Sequence, residues 1–282
     1  MSRLAAAVVT HNGQPWVLEC VESILGQSRP PDVIVVVDDH STDGTVEMLH
    51  ERYTDTITLL TADESVQRLA THERIATNFT TAVHAAVAQG ADLVALGDQD
   101  DRWLHNRLEA QEAMMHNRAM VASDGWLVDR SGVRNGLSLR DGFPVSADFQ
   151  SWSSVEQLRY AMRHSVATGG ASMIRPSAFP SLHVPAGWLH DRWWSLAAIA
   201  LGSLSVDRSC VIEYRVSPDQ VVGLTKGSQG AGRVTRIRQQ VGRGSALPRL
   251  RALRTLRTWP GVEPGVQHLL QWPNLIGSAL RQ

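Results

Sequence analysis

Three carboxylates follow one apolar run of the sequence. Asp98, Asp100 and Asp101 stand just after Asp92 to Leu96, a run that predicts a buried strand. In a parallel sheet, ligands bind beyond the carboxyl ends of the strands, so these acids are expected at the mouth of a crevice. Crowded carboxylates repel one another unless a cation or an arginine neutralises them, and oxygen ligands suit a hard divalent cation. The alternative is a solvated turn in which Asp101 caps the following helix.

A second acidic segment follows the apolar run Val33 to Val37. Asp38 and Asp39 end that run, and Ser41 to Thr45 supply residues typical of a turn and a helix N-cap. Parallel strands end at the same edge of a sheet, so Asp39 is expected close to Asp98. A carboxylate there can accept hydrogen bonds from a nucleobase imide or a ribose hydroxyl. Alone, the segment is equally typical of a capped turn, but its pairing with the first acidic run favours a nucleotide crevice.

Spacing and composition exclude several other kinds of site. An EF-hand loop needs Gly at its sixth position and Glu at its twelfth. Counted from Asp98, the sixth residue is Trp103, and counted from Asp39, the twelfth residue is His50. The sequence has neither a P-loop nor a G-x-G-x-x-G fingerprint. Two cysteines without a Cys/His cluster exclude a disulfide framework and a structural zinc site.

Short apolar runs alternate with amphipathic segments through the first half of the chain. This pattern predicts an α/β protein with a doubly wound, mostly parallel sheet flanked by helices. The predicted strands of this half are Leu4–Thr10, Val33–Val37, Thr56–Leu60 and Asp92–Leu96. Helices are predicted from Pro15, after the capping segment Ser41–Gly44 through Tyr53, from Glu73 and from Leu104.

The second half is less regular. A loop is predicted for Gly132–Phe149, a mobile connection for the Gly- and Arg-rich segment Gly223–Gly244, and a weakly amphipathic helix for Leu247–Trp259. The remaining predicted elements are strands at Ala119–Val128, Ala171–Ile174 and Cys210–Tyr214, and helices at Val155–His164 and Asp191–Leu201.

Charge is distributed unevenly along the 282 residues. The whole chain has 27 Lys and Arg against 28 Asp and Glu, for a net charge of -1. Ten of those cations but a single anion, Glu263, follow Gln220, so this last part carries +9 and the rest of the chain carries -10. The expected organisation is a domain over residues 1–222 and a basic extension over residues 223–282.

The sequence predicts neither a membrane span nor secretion. The longest uncharged apolar stretch, Trp193 to Val206, is shorter than the about 18 residues needed to cross a bilayer. The apolar run Leu4 to Val9 is shorter than that of a signal peptide and lacks a cleavage-like site. A cytoplasmic protein is therefore expected.

Three segments together resemble a known family. Val8–Asn12, Val36–Thr45 and Gly97–Trp103 are similar, in that order and spacing, to the donor half of family two glycosyltransferases, which have a GT-A fold. The Asp-Gln-Asp-Asp-x-Trp form and the segment Arg74–Phe79 resemble a bacterial subgroup often labelled rhamnosyltransferase-like. The resemblance implies that a divalent cation, Mg²⁺ or Mn²⁺, is bound by Asp100 and Asp98, and that the nucleotide sugar is bound by Thr10, Asn12, Asp39, Arg74, Asn78, Asp98 and Arg215.

The resemblance implies a nucleotide-sugar donor half over residues 1–117 and an acceptor half over residues 118–222, and it is weaker over the acceptor half. Thr168–Gly170 and His190–Trp194 resemble family segments that lie near the acceptor. The resemblance implies that Asp191 is the general base and that Gly169 and Gly170 lie close to the acceptor. An acid in the first turn of a helix is also favoured by the helix dipole alone.

Two further features leave alternatives open. Trp193 and Trp194 are candidates for stacking on an acceptor sugar, although aromatic residues at this spacing are more often core. The Tyr-Arg pair ending at Arg215 resembles one near the diphosphate, where an arginine can pair with phosphate. A His usually follows two residues after that arginine, and Ser217 stands there instead.

The resemblance implies a metal-dependent, inverting transferase that moves a hexosyl or rhamnosyl group from a nucleoside diphosphate sugar to a hydroxyl of a glycan, lipid-linked or small-molecule acceptor. One alternative is a sugar nucleotidyltransferase, whose Gly-rich triphosphate loop is missing from residues 10–20. Another is a non-catalytic nucleotide-binding subunit. The basic extension predicts peripheral contact with the inner face of a membrane through Arg233 to Arg257, or equally a contact with the acidic body or a subunit. Nucleic acid is not expected, because the charge of the body repels phosphates.

Overall fold

The computed structural model describes residues 2–216, 224–226, 234–236 and 246–280. Four parallel strands form the first half of a large sheet, in the spatial order β3 (Thr58–Thr61), β2 (Val33–Asp38), β1 (Leu4–Thr10) and β4 (Leu93–Asp98). The register aligns Thr10 of β1 with Asp38 on one side, and Val9 with Asp98 on the other. The two acidic strand ends therefore lie at one edge of the sheet, on either side of β1.

The sheet continues beyond β4 with strands of both directions. β8 is antiparallel to β4 and to β6, while β9 runs parallel to β6. β5 and β7 add antiparallel to β9 and β6. The bounds are β5 Arg102–Trp103, β6 Met120–Val128, β7 Arg134–Ser138, β8 Ser172–Ile174 and β9 Leu204–Arg215. Because Arg102 pairs with Glu213, the carboxyl end of β9 lies beside the acidic segment that follows β4.

Helices cover both faces of the sheet, so the predicted fold class is confirmed. Side chains of a strand alternate between faces, and along β1 Ala5 and Ala7 enter one core while Ala6 and Val8 enter the other. The first core is closed by α3, α6 and α7, and the second by α1, α2 and α4. The bounds are α1 Val17–Leu25, α2 Thr45–Tyr53, α3 Thr71–Ala88, α4 Arg107–Met115, α5 Leu139–Gly142, α6 Ser154–Ala161 and α7 His190–Ala200.

One prediction of secondary structure is wrong, and another is confirmed except for where the element begins. The predicted loop Gly132–Phe149 contains β7 and the short helix α5, which starts with a capping box formed by Ser138 and Asp141. The strand predicted from Cys210 begins at Leu204, because β6 offers β9 a parallel partner over most of its length. Pairing with β6 determines the structure of β7 and of the first part of β9. The exposed side chains of these segments do not alternate between apolar and polar, so the sequence alone does not indicate strands there.

The basic extension is partly helical and shares the core of the body. Leu253, Leu256 and Leu270 are buried in the same apolar core as α6 and α7. Arg249 docks on the loop before α7: its Nε donates to the Gly187 carbonyl at 2.7 Å. The described helices here are α8 Ala246–Thr255, α9 Pro264–Leu269 and α10 Trp272–Leu280.

Some predictions about this region are not tested. The proposed boundary at Gly223 and most of the predicted mobile connection Gly223–Gly244 lie outside the described residues. Within that connection, two short strands, β10 (Leu224–Lys226) and β11 (Val234–Arg236), pair antiparallel. The division into 1–222 and 223–282 stays a prediction. In the part of the chain that the structure describes, every helix is too short or too polar to span a bilayer.

Candidate active site

The donor side of the site lies where β1, β2 and β4 end. Thr10 is the last residue of β1, Asp39 follows β2, and Asp98 ends β4. The backbone N–H of Asp39 donates to the Thr10 carbonyl at 2.8 Å, which links the first two strand ends directly. The expectation that the two acidic segments share one sheet edge therefore agrees with the register of the strands.

Asn12 joins the loop after β1 to the loop after β2. Its backbone is in the left-handed region, with φ 50°. Its side-chain oxygen accepts from the Thr42 N–H at 2.9 Å, and its own N–H donates to the Ser41 hydroxyl at 2.8 Å. Asn12, predicted to bind the donor, thus shapes the wall of the crevice by holding two loops together.

Arg74, near the start of α3, is paired with Asp39. Its Nε and Nη2 lie 3.0 Å and 2.8 Å from Asp39 Oδ2. The other carboxylate oxygen, Asp39 Oδ1, is buried without a hydrogen-bond partner among the described residues, as is Nδ2 of Asn78, one turn further along α3. Buried polar atoms are normally paired, so these two atoms have unused capacity for a polar ligand.

The acid run Asp98 to Asp101 carries strongly shifted carboxyl groups. Removal from water raises the pKa of Asp98 to about 7, and the neighbouring carboxylates of Asp100 and Asp191 push it in the same direction. Removal from water also raises the pKa of Asp100 to about 6, although Arg215 opposes the shift. The pKa of Asp101 is raised well above its usual range by burial and by both neighbouring acids. The cationic side chains of the protein therefore do not fully neutralise this cluster of carboxylates.

Arg215, predicted to pair with phosphate, is committed to the protein. Its side chain is only 3% exposed. Its Nη2 lies 2.7 Å from a Glu19 carboxylate oxygen on α1, and its Nε donates to the Asp100 carbonyl at 3.0 Å. Its backbone N–H donates to Asp101 Oδ1 at 3.2 Å. Arg215 therefore fixes the course of the acid run, a role that the sequence did not indicate because Glu19 lies 196 positions away.

The turn Gly169–Gly170 brings Asp191 and the acid run together. The Gly169 N–H donates to Asp191 Oδ2 at 3.2 Å. A Cβ atom at position 170 would lie 2.5 Å from Asp101 Oδ2 and 3.0 Å from Asp98 Oδ2. Only glycine permits so close an approach of backbone to carboxylates. Asp191, predicted as the base, and Asp98, predicted as a metal ligand, thus converge on one turn, immediately before β8.

The predicted stacking of Trp193 and Trp194 on a sugar is wrong for this structure. The two side chains are 1% and 0% exposed and belong to the core behind α7. His190 is also buried, and its ring stacks on Phe79 with a centroid distance of 3.9 Å. Burial lowers the pKa of His190 to about 4, so the ring is neutral. The aromatic spacing in α7 reflects packing, as the alternative interpretation held.

A buried arginine lies behind the acid run and was not singled out from the sequence. Arg107, the first residue of α4, is fully buried and stacks on Trp103 at 3.7 Å from the ring centre. Its Nη2 donates to the Leu96 carbonyl at 2.7 Å, and burial lowers its pKa to about 9 while Asp101 opposes the shift. A signal was present, because Arg107 and its hydrogen-bond partner Gln111 occupy the apolar face of α4.

The acid run fits a hard divalent cation. Its donors are carboxylate oxygens, the ligands that Mg²⁺ and Mn²⁺ take. Across the described residues, neither Asp98 nor Asp100 forms a salt bridge, and no group of three His, Cys, Asp or Glu side chains is arranged as a metal site. Mg²⁺ is commonly held by one or two carboxylates together with substrate phosphates. Asp98 and Asp100 are the residues that fit this role.

Comparison with protein families decides the affiliation. The model of Glycosyl transferase family 2 matches residues 6–182. The chain belongs to this family. The matched span includes the donor-side strand ends, the acid run and the Gly169–Gly170 turn of this glycosyltransferase, while the helix that carries Asp191 lies just beyond it.

Two relatives from Bacillus subtilis (strain 168) are similar over part of the glycosyltransferase. A putative teichuronic acid biosynthesis glycosyltransferase, TuaG, is 30% identical in an alignment of 136 residues that covers 43% of this chain and 48% of TuaG. A putative glycosyltransferase, EpsE, is 32% identical in an alignment of 135 residues that covers 46% of this chain and 45% of EpsE. The chain thus matches less than half the length of each of these curated relatives.

Solved structures of glycosyltransferases have the same fold. S. aureus TarS 1-349 in complex with UDP superposes with a TM-score of 0.61 at 16% identity, over 97% of this chain and 70% of that one. The mannosyltransferase PcManGT from Pyrobaculum calidifontis, in complex with GDP-Man and Mn²⁺, gives a TM-score of 0.52 at 17% identity, over 99% and 70% of the two chains. The α/β architecture is therefore the GT-A fold.

Proposed function

We propose that this glycosyltransferase moves a sugar from a nucleoside diphosphate sugar to an acceptor hydroxyl, with inversion at the anomeric carbon and with a divalent cation. The observation that carries the proposal is the convergence of Asp191 and the acid run on the Gly169–Gly170 turn. A base and a diphosphate site must lie on opposite sides of the same anomeric carbon for a single displacement. A turn contacted by both sets of carboxylates keeps them close enough to serve one carbon, which supports the proposal.

On the donor side, Asp39 would bind the nucleoside. Its buried Oδ1 has no partner among the described residues, and Arg74 holds the other oxygen, so the carboxylate is fixed and has one free acceptor. A fixed acceptor suits the imide N–H of a pyrimidine base or a ribose hydroxyl. The TarS structures in complex with UDP and with UDP-GlcNAc favour a uridine diphosphate sugar here as well.

Asp98 and Asp100 would hold the cation, as Mn²⁺ or Mg²⁺. When bound, such an ion neutralises the charge that develops on the departing diphosphate. The chain's own part is to keep the ligands in place: Arg215 anchors the Asp100 carbonyl, and Arg107 anchors the Leu96 carbonyl near the end of β4. The Mn²⁺ of PcManGT agrees with this assignment.

Asp191 would act as the general base. It would accept the proton of the acceptor hydroxyl as that oxygen attacks the anomeric carbon and the bond to the diphosphate breaks. The Gly169 N–H donates to Asp191 Oδ2 and the Arg192 N–H donates to Oδ1 at 2.6 Å, which orient the carboxylate without neutralising it. No cationic side chain pairs with Asp191 among the described residues.

The product is proposed to be a bacterial polysaccharide. The relative TuaG is named for teichuronic acid biosynthesis, which favours a glycan or lipid-linked acceptor over a small molecule. A hexosyl group and a rhamnosyl group are both compatible with the Asp-Gln-Asp-Asp-x-Trp form of the acid run. Membership of family 2 argues against a sugar nucleotidyltransferase, and turnover separates an enzyme from a non-catalytic subunit.

The α8 surface, formed by Arg251 and Arg254 of α8 and by Arg257 just after it, is proposed to contact the inner face of an anionic membrane. These three arginines are exposed and form no salt bridge among the described residues, whereas Leu253 and Leu256 of the same segment enter the core. Exposed Leu247 begins the same face of the helix, one turn before Arg251. A row of cations beside an apolar side chain suits the interface of an anionic leaflet.

A nucleotide-sugar panel read by thermal shift tests the central proposal. UDP, dTDP and GDP sugars are compared with and without Mn²⁺, for the wild type and for Asp100→Ala. We expect one donor class to raise the melting temperature of the wild type only with the metal, and Asp100→Ala to lose that response while staying folded. A metal-independent response, or an unchanged response in Asp100→Ala, would contradict the metal assignment.

A further inference from the structure

Gln99, the uncharged member of the acid run, is turned toward the backbone of the β1–α1 loop. Its Oε1 accepts from the His11 N–H and from the Thr10 hydroxyl, both at 2.6 Å. Its Nε2 donates to the His11 carbonyl at 3.0 Å. The amide therefore pairs with both polar groups of one residue, as a neighbouring β-strand would.

Gly13 allows this contact. A Cβ atom at position 13 would lie 2.5 Å from Gln99 Oε1 and 2.6 Å from Thr10 Oγ1. Any larger residue there would push the amide away from the loop. The contact between the Gln99 amide and the β1–α1 loop thus depends on the glycine at position 13 as well as on Gln99 itself.

The same loop is bonded to the β2–α2 loop on its other side. The Gly13 N–H donates to Thr45 Oγ1 at 2.9 Å, and the Gln14 N–H donates to Asp43 Oδ2 at 3.0 Å. The His11 ring nitrogen Nδ1 lies 2.7 Å from the Asp39 carbonyl. The β1–α1 loop therefore stands between the nucleoside side at Asp39 and the acid run, and Gln99 joins it to the acid run.

We infer that Gln99 is a positioning residue that sets the separation between the nucleoside site at Asp39 and the metal and diphosphate site at Asp98 and Asp100. The inference rests on the proposed function. A nucleoside diphosphate bound to a metal must reach both sites at once, so its affinity depends on their spacing. A ligand that occupies the nucleoside side alone does not depend on that spacing.

The test compares two probes by calorimetry. UDP with Mn²⁺ spans both sites, and UMP without metal occupies the nucleoside side. For Gln99→Met, which keeps the length of the side chain and removes all three hydrogen bonds, we expect UDP to bind at least tenfold more weakly and UMP to bind within threefold of the wild type. Gln99→Asn keeps the amide but is one methylene shorter, and the same selective loss is expected.

The matched control is Gln89→Met. Gln89 also uses its amide, with contacts to Thr58 and Ala85 at 3.3 Å, but it follows α3 and lies before β4, at the opposite edge of the sheet. Both probes should bind this variant as they bind the wild type. Retained UMP binding also shows that a Gln99 variant is folded.

The outcomes distinguish a failure of the positioning role of Gln99 from a failure of the proposed function. Unchanged UDP affinity in both Gln99 variants, or an equal loss of UDP and UMP at a normal melting temperature, would overturn the positioning role. Unfolding of Gln99→Met leaves Gln99→Asn to decide by the same comparison, and unfolding of both would assign Gln99 to stability and overturn the role too. If the wild type binds none of UDP, dTDP and GDP with Mn²⁺, the proposed function itself fails, and the inference with it; if it binds dTDP or GDP instead of UDP, the same comparison is made with that diphosphate and its monophosphate.

Discussion

The backbone N–H of Gly169 donates to the carboxylate of Asp191 at 3.2 Å, and this contact links helix α7 to the turn before β8. The next residue of that turn, Gly170, is packed against Asp98 and Asp101. The base candidate is thus positioned relative to the acid run by two consecutive peptide units. A change in that turn is expected to disturb both halves of the reaction together.

Asp191→Asn should abolish transfer and leave donor binding nearly unchanged. The amide cannot take a proton, but it keeps an oxygen for the Gly169 N–H, and the base acts on the acceptor rather than on the nucleotide. A general base contributes roughly 10² to 10⁴-fold, so turnover should fall by at least about 10²-fold. Steady-state rates and nucleotide titration measure the two effects.

Asp207→Asn is the control for Asp191→Asn. Asp207 is a partly exposed acid of β9 whose side chain, among the described residues, accepts from the Ser209 N–H alone, so turnover should be normal. Glu213, another acid of β9, is paired with Arg102 and Arg134 and is unsuited as a base. Turnover of Asp191→Asn within tenfold of the wild type would remove Asp191 from the mechanism.

Gly170→Ala should impair catalysis more than stability. The new methyl group would meet Asp101 Oδ2 at 2.5 Å and must displace the acid run or the turn. Overpacking of this kind costs about 1–3 kcal/mol, while misplacement of reacting groups by about 1 Å costs about 10² in rate. Denaturant unfolding and turnover measure the two quantities.

Gly26→Ala serves as the comparison for Gly170→Ala. Gly26 caps α1 with φ -81°, and a Cβ there would meet only the Glu22 carbonyl at 3.3 Å. Its turnover should stay near that of the wild type. Equal activity of Gly170→Ala and wild type would show that the turn tolerates displacement and does not set the geometry of the site.

Much of the donor side could be predicted from the sequence, because it depends on local patterns. The apolar run Val33–Val37 and the acids after it predict a strand and its end from the local sequence alone. The same holds for the strand that ends at Asp98. The sheet edge then brings the two acidic segments together without any knowledge of long-range contacts.

The acceptor side could not be predicted in this way. β7 and α5 owe their structure to pairing with β6 and to a capping box, and neither has an apolar period. The partner of Arg215 is Glu19, which no local pattern connects to it. The sequence predicts no role for Gln99, since a side chain that bonds to backbone leaves no mark in the sequence.

Stability between pH 6.5 and 4 should depend on His190. Burial lowers its pKa to about 4 in the folded protein, whereas an unfolded His has a pKa near about 6.5. The unfolded state therefore binds the proton first, and the stability from this residue is lost as the pH falls from about 6.5 to 4. The loss amounts to about 3 kcal/mol.

His190→Gln isolates the contribution of His190 to the pH dependence of stability. The raised pKa values of Asp98 and Asp100 act in the opposite direction, but they do so equally in the variant and in the wild type, so their effect cancels in the comparison. The free energy of unfolding is measured in urea at several pH values. The variant should lose less stability than the wild type between pH 6.5 and 4, by the amount above. His183→Gln, at an exposed position, should match the wild type, and a His190→Gln profile parallel to the wild type would refute the assignment.

Replacing Arg251, Arg254 and Arg257 by Gln should weaken binding to anionic vesicles. Each arginine near an anionic surface contributes on the order of 1 kcal/mol, and salt screens the attraction. Sedimentation with phosphatidylglycerol vesicles, at low and high salt, measures the effect. The triple variant is preferred to truncation, because Leu253 and Leu256 of the same segment belong to the core.

The control for the membrane test removes the same charge elsewhere. Arg3, Arg68 and Arg159 are exposed on other parts of the body, and their triple Gln variant should sediment like the wild type. Equal binding by the two triple variants, or no binding by the wild type to anionic vesicles at low salt, would rule out the α8 surface as a membrane contact.

The leucines of the C-terminal helices also bear on how the enzyme is assembled during translation. Leu253, Leu256 and Leu270 complete the core shared by α6 and α7, yet the ribosome makes them after the parts of that core that the sheet and α3, α6 and α7 contribute. Domains form from the N-terminal side while synthesis proceeds, so the proposed nucleotide crevice can be finished early. α6 packs against the helix that carries Asp191 and against α9, and it lacks the second of these neighbours until α9 has emerged. A nascent chain therefore completes the proposed donor crevice before the packing behind the proposed base is complete.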